Sequence, residues 1–240
     1  MPSMKNYKTS NLARIATAVR DFLYPEVCTA CGRLLVEGEH HLCHHCLYSL
    51  PAAYNGNFYE NEMAERFYGK IDFKKAAYGF VYQKESLFQQ LMEALKYKGE
   101  REIGEQLGLY VGAKLRREGF FEDIDCIIPV PLHPKRLHSR GYNQSWWIAK
   151  GLSDQSHRII EDQLLKRVVN NSSQTTRSIK ARWDNTKNIF ACDYSDTLQH
   201  KHILLVDDVV TSGSTLETCA TSIQKHHDVQ ISFFALGMAK

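Results

Sequence analysis

The sequence predicts an α/β protein, a parallel sheet flanked by helices, with a small metal-binding module at the N-terminus. Three observations carry this prediction. Two short apolar runs, at 124–130 and 203–206, have the length and β-branched character of strands buried on both faces of a parallel sheet. The second run leads into a turn of small residues and then into Leu216, Ala220 and Ile223 at helical spacing, giving a strand-turn-helix unit. Upstream, Cys28-x2-Cys31 and Cys43-x2-Cys46 stand eleven residues apart, a spacing that lets four thiolates converge on one tetrahedral zinc ion.

The totals set the bounds. With 240 residues, 43% hydrophobic and 24% charged, the chain has enough apolar surface for a substantial core, and global disorder is excluded. A net charge of +3 is compatible with an anionic ligand but does not by itself argue for nucleic acid. No run approaches the ~18 apolar residues of a membrane span, and the first residues lack a signal-peptide core, so a cytoplasmic protein is expected. In that compartment seven cysteines read as metal ligands or free thiols.

Taken in order, Leu12, Ile15, Ala16, Val19 and Phe22 predict an amphipathic helix over 11–22, closed by Pro25 and docking on its own core. In the cysteine module Gly32 permits the tight turn of a knuckle, while His40, His41, His44 and His45 read as surface residues because four sulfurs already satisfy the metal. A redox dithiol is the competing reading; two Cys-x2-Cys pairs so close together disfavour it. Residues 51–70 read as a connector. A strand follows at 76–82, then helices from Leu87 to about Gly99 and from Ile103 to about Arg117. Prolines 129, 131 and 134 stiffen a loop at the end of the strand at 124–130, and this loop carries Lys135, Arg136 and Arg140, with Gly141 as a pivot. Basic groups on such a loop suit an anion such as diphosphate. Trp146, Trp147, Ile148 and Leu152 read as a core-facing helix, although an adjacent tryptophan pair could leave one ring free to stack on a base. Leu164–Val169 reads as a strand, 170–179 as a polar lid or connection, and Val229–Leu236 as the last strand. The division expected is 1–55 for the N-terminal helix and cysteine module, 56–100 for a connecting strand and helix, and 101–240 for the main domain.

Chemistry concentrates between His202 and Thr218. The apolar strand ends on Asp207 and Asp208, which suit sugar hydroxyls or a divalent metal carried by a ligand. Thr211, Ser212, Gly213, Ser214 and Thr215 then open a helix, where hydroxyls and backbone N–H groups favour a phosphate. The missing Gly-x4-Gly-Lys-Ser/Thr loop argues against a Walker B strand. Ordinary N-capping explains one hydroxyl or carboxylate but not the whole cluster. The combination describes a site for a phosphorylated sugar.

The run over 202–218 resembles the phosphoribosyl-pyrophosphate (PRPP) signature of type I phosphoribosyltransferases. With the cysteine knuckles, Val130–Arg136, Arg140–Gln144, Leu95–Gly99, Gln174-Thr-x-Arg177, Arg182 and Asn188-x-Phe190, the chain from about Cys28 to its end resembles the ComF family. One departure is Thr211–Thr215, where Thr-Thr-Gly-Ala-Thr is commoner. The resemblance implies a structural zinc module on a phosphoribosyltransferase-like (glycosyltransferase) domain. Asp207 and Asp208 would then hold the ribose hydroxyls of PRPP beside Mg2+. Thr211–Thr215 would cradle the 5′-phosphate, and Lys135 or Arg136 would face the diphosphate. It also implies DNA uptake in competent bacteria, beside a helicase-like partner on single-stranded DNA. Two expectations follow: a pentosyl transferase, or a non-catalytic DNA-uptake partner that retains the pocket.

Overall fold

A computed structural model describes residues 25–52, 56–169 and 189–239. The helix expected over 11–22, the polar stretch 170–179, and Gln174, Arg177, Arg182 and Asn188 lie outside the described residues. The chain forms two compact units, Met1–Ser49 and Leu50–Lys240. Among the described residues no helix is long and apolar enough to cross a membrane.

In the first unit, the antiparallel bridges Val27–Leu34 and His40–Leu42 hold two turns ahead of the short helix α1 (His44–Ser49). Glu39, only 4% exposed, ties them together. It pairs with Arg33 at 2.5 Å and accepts hydrogen bonds from the backbone N–H groups of Val36 (3.1 Å) and His44 (2.8 Å).

The second unit is built on a five-stranded parallel sheet. Its strands are β1 (Ala76–Tyr82), β2 (Cys126–Pro129), β3 (Ile159–Ile160), β6 (His202–Val210) and β7 (Gln230–Ala239), in the order β1-β7-β6-β2-β3. The two-residue β3 has no counterpart in the sequence reading. The segment Leu164–Val169 contributes β4 (Leu165–Arg167), which leaves the main sheet and pairs antiparallel with β5 (Phe190–Cys192). The apolar run at 203–206 is the centre of a longer strand: β6 continues through Asp207 and Asp208 to Val210. Pairing with β7 holds Asp207 opposite Ala235 and Val210 opposite Met238, so the carboxylates stand on hydrogen-bonded strand and not beyond it.

Helices cover both faces. On one side lie α2 (Leu87–Tyr97), N-capped by the Ser86 hydroxyl on the Gln89 N–H at 3.1 Å, α3 (Glu102–Arg117) and α5 (Gln144–Ser156). On the other, α6 (Ser214–Gln224) packs Leu216, Cys219, Ala220 and Ile223 against Ile203, Leu205 and Phe233. Residues 56–70 do more than connect. Met63 and Phe67 are fully buried, and Phe67 stacks on Phe233 with ring centroids 4.1 Å apart. The expected proline-stiffened loop contains a helix, α4 (Pro134–Arg140). Pro134 fits its first turn because no N–H is needed there, and His133 Nδ1 caps the Lys135 N–H at 3.2 Å.

The helices α3 and α5 cross with almost no side chain between them. A Cβ on Gly108 would stand 2.5 Å from the Ile148 carbonyl oxygen, and one on Gly151 would stand 2.2 Å from that of Glu105. At the N-terminal ends of the strands, His202 Nε2 lies 2.8 Å from Ser232 Oγ, and His202 Nδ1 lies 3.3 Å from Asp123, which also pairs with Lys75. Ser232 is fully buried, so this serine-histidine-aspartate array closes the bottom of the sheet and meets no substrate.

Candidate functional site

The sheet order fixes where a ligand enters. From β2 the chain runs through α5 to β3 on one side; from β6 it runs through α6 to β7 on the other. Adjacent parallel strands whose connections leave in opposite directions open a crevice at their C-terminal ends. Asp207, Asp208 and the Thr211–Thr215 turn stand at that point.

The two carboxylates are held separately. Asp207 Oδ1 accepts from the Ser145 hydroxyl at 3.2 Å and from the Asp208 N–H at 2.8 Å. Asp208, 8% exposed, accepts from Gln144 Nε2 and pairs with Lys96 Nζ, both at 2.9 Å, and takes the Val209 N–H at 2.5 Å. Burial, then the neighbouring Asp208 charge, push the Asp207 carboxyl up to about 7, although the Asp208 N–H, Lys96 and Ser145 pull the other way. At neutral pH Asp207 therefore exchanges a proton easily, and any cation reaching the crevice favours its ionised form.

The crevice itself is about 280 Å3. Its walls bring Val130–Leu132, Arg136 and Arg140 from the β2 side together with Asp207, Asp208 and Thr215 from the β6 side. Next to it, Asp207 and Val209–Leu216 line a small cup of about 30 Å3 at the N-terminus of α6. Ser212 and Ser214 hydroxyls lie 3.1 Å apart across its rim. Gly213 has φ +81°, a left-handed conformation, and a Cβ there would meet Phe67 at 3.0 Å and Arg66 at 3.2 Å. Glycine at 213 thus serves the turn and the packing behind it. On the outer side a hollow of about 430 Å3 shares Lys96, Tyr97, Arg136 and Arg140 with the crevice. Tyr97 is 75% exposed and carries the Arg140 guanidinium 5.2 Å from its ring centroid.

Of the two basic candidates at 135–136, Arg136 lines the crevice, while Lys135 is exposed on α4 and lines neither hollow. Neither tryptophan lines the crevice; Trp147 packs beneath the Arg101 guanidinium, 4.9 Å from its ring centroid. Sequence reasoning left Lys96, Gln144, Ser145 and Arg167 without roles. No local signal marks Arg167, which reaches the crevice because β4 leaves the main sheet.

In the first unit the four cysteine sulfurs lie within 4.8 Å of one another, with Cys31 and Cys43 at 3.8 Å. Four sulfurs each ~2.3 Å from one tetrahedral centre stand ~3.8 Å apart, so the cluster fits a zinc ion. The Cys43 N–H points at Cys28 Sγ and the Cys46 N–H at Cys43 Sγ, both at 3.3 Å, stabilising thiolates. Burial opposes ionisation of Cys43, yet the hydrogen bonds from Cys46, Cys28 and Cys31 draw it down to about 6. Burial and the neighbouring Cys43, Cys31 and Cys28 push Cys46 up. Sulfurs competing for protons in this way are what a central cation relieves. None of the four surrounding histidines joins the cluster.

No protein-family model matches the chain. Among curated proteins it is 34% identical over 116 residues to "Competence protein F" of Haemophilus influenzae, covering 48% of this chain and 51% of that protein. It is 30% identical over 149 residues to "DNA utilization protein YhgH" of Shigella flexneri, covering 61% and 65%. It is 24% identical over 157 residues to "Competence protein ComFC" of Bacillus subtilis, covering 65% and 62%. The chain thus spans between about half and just under two thirds of the length of these relatives. These relatives support the ComF family for this chain.

Proposed function

We propose that the chain binds PRPP in the crevice between β2 and β6, and that it serves DNA uptake or utilisation as a phosphoribosyltransferase-like protein. One observation carries the reading: a carboxylate pair and a helix-terminal hydroxyl cup share the C-terminal end of one central strand, at the switch point of the sheet. In this reading Asp207 and Asp208 accept the ribose hydroxyls, and the Thr211–Thr215 turn takes the 5′-phosphate through its N–H groups and hydroxyls. Arg136 faces the diphosphate. Carboxylate oxygens are the donors Mg2+ takes, so Asp207 and Asp208 would hold that ion, which when bound supplies neutralising charge to the diphosphate.

As a transferase, the site would let a nucleophile form a bond to C1 while the C1–O bond breaks and its electron pair leaves with the diphosphate. Arg136 and Lys96 stabilise that leaving charge. A second reading, a DNA-uptake partner without transfer activity that works with a helicase-like protein, draws on the outer hollow. Its exposed Tyr97 and its arginines suit a stacked base and a strand backbone. The names of the relatives, competence and DNA utilisation, agree with either.

The test is titration calorimetry of the full chain with PRPP, with and without Mg2+, and with ribose 5-phosphate as a probe of the cup. Wild type should bind both, and Asp207→Asn with Asp208→Asn should lose the Mg2+-dependent part of PRPP affinity. Absence of binding at millimolar ligand, or undiminished binding by the double variant, would sink the assignment. Diphosphate release from PRPP with an added acceptor separates the transferase from the binding partner.

A further inference from the structure

The small β4–β5 sheet carries a basic side chain that has no ion-pair partner among the described residues. Arg167 lines the crevice, where it is half-buried, and its Nε is shut off from solvent without a hydrogen-bond partner. Among the described residues no carboxylate lies within ion-pair distance of it. What fixes the side chain is Phe190, its register partner on β5, whose ring centroid lies 5.4 Å from the guanidinium. A cation on an aromatic ring is oriented but not neutralised. Burial and the nearby Arg136 both disfavour the charge on Arg167. Two guanidiniums, from α4 and from β4, thus converge on one cavity whose carboxylates, Asp207 and Asp208, are already engaged by Ser145, Gln144 and Lys96. Asp207 favours the Arg167 charge more weakly than burial and Arg136 oppose it, and does not offset the cost of holding two like charges in this half-buried place.

We propose that Arg167 and Arg136 form a two-sided diphosphate clamp, with Phe190 positioning Arg167. Guanidinium is the group suited to it, because its fork of donors meets phosphate oxygens in pairs while an ammonium meets them as a point charge. A diphosphate fits better than a monophosphate: the cup at α6 already offers a monophosphate site, and the two arginines come from separate elements. The clamp rests on the PRPP reading for its ligand, but its own chemistry is that of a diphosphate alone. It also assigns a binding role to the β4–β5 sheet, which otherwise only covers one face of the core.

The experiment measures affinity of the full chain for inorganic diphosphate, for ribose 5-phosphate and for a single-stranded oligonucleotide. Arg167→Met should weaken diphosphate about ten- to hundred-fold, the range for losing a charged hydrogen-bonding partner, and leave ribose 5-phosphate within about twofold. Arg167→Lys should restore only part of the loss. Phe190→Leu, which keeps the site apolar but removes the ring, should weaken diphosphate in the same selective way. Undiminished diphosphate binding by Arg167→Met overturns the proposal. So does equal weakening of both small ligands, which would mark a structural role. Loss of oligonucleotide binding with diphosphate untouched would overturn it in favour of a strand backbone. A wild type that binds diphosphate but not ribose 5-phosphate would leave the clamp standing and remove the sugar-phosphate reading alone.

Discussion

Asp207 should make the ligand-free protein less stable as the pH rises, and Asp207→Asn should remove that penalty. The folded protein holds the Asp207 proton up to about pH 7, against a usual value of 3.8. Because the folded state binds the proton more tightly, this contribution is fully present below about pH 4 and is lost as pH climbs to about 7. Three pH units correspond to about 4 kcal/mol as a ceiling. Asp207 is only partly buried, so solvent screening reduces this, and a change of about 1–3 kcal/mol is the working expectation. The assay is urea unfolding of wild type and Asp207→Asn at pH 5 and pH 8. Relative to wild type, the variant should gain stability between the two, since an amide keeps the Ser145 and Asp208 contacts without a buried charge. An identical wild-type-to-variant difference at both pH values would refute the reasoning. The same logic predicts that PRPP with Mg2+ displaces the Asp207 proton, so its affinity should rise with pH through about 7.

Three further outcomes are expected. Cys31→Ser should release zinc, read by a chromogenic chelator, and loosen the first unit while PRPP titration of the second remains within about twofold, since no thiolate belongs to the crevice. Gly213→Val should lower stability by about 1–3 kcal/mol, from a strained positive φ and the Phe67 contact, and should weaken ribose 5-phosphate in calorimetry; unchanged unfolding would contradict the packing found behind the turn. Lys96→Met should weaken PRPP about tenfold or more by removing the cationic partner of Asp208, with no change in the unfolding transition as large as that of Gly213→Val.

The signals that the sequence carries most clearly are those with a short physical range. The buried strands, the cysteine knuckles and the helix opening at Ser214 each depend on neighbours in the chain, and each stands close to its expected place. What needed the structure were contacts between distant segments. Nothing local says that β4 turns away from the main sheet, or that Arg167 thereby reaches a cavity formed by β2 and β6. The stretch at 134–140 read as a loop because its prolines were weighed as breakers; Pro134 instead occupies the first turn, where a missing N–H does no harm. Met63 and Phe67 stayed hidden because the polar residues around them mask so short an apolar pattern. At the carboxylates the residue types announced themselves, whereas Gln144 and Ser145 acquire meaning only from the position of the α5 N-terminus.

That position is set by the glycine crossing of α3 and α5. Side chains between two helices act as springs: they change rotamer and absorb a shift of a few tenths of an ångström. Where Gly108 and Gly151 meet carbonyl oxygens directly, no such spring exists. Gly151 lies seven residues, about 10 Å along the axis, from Gln144. A displacement forced at the crossing would therefore travel undamped down α5 and arrive as a misplacement of the Gln144 and Ser145 contacts to the two aspartates. A methyl group at residue 151 would act as a shim under one end of a rigid rod, and its effect would be read at the other end, as an altered spacing of the carboxylates.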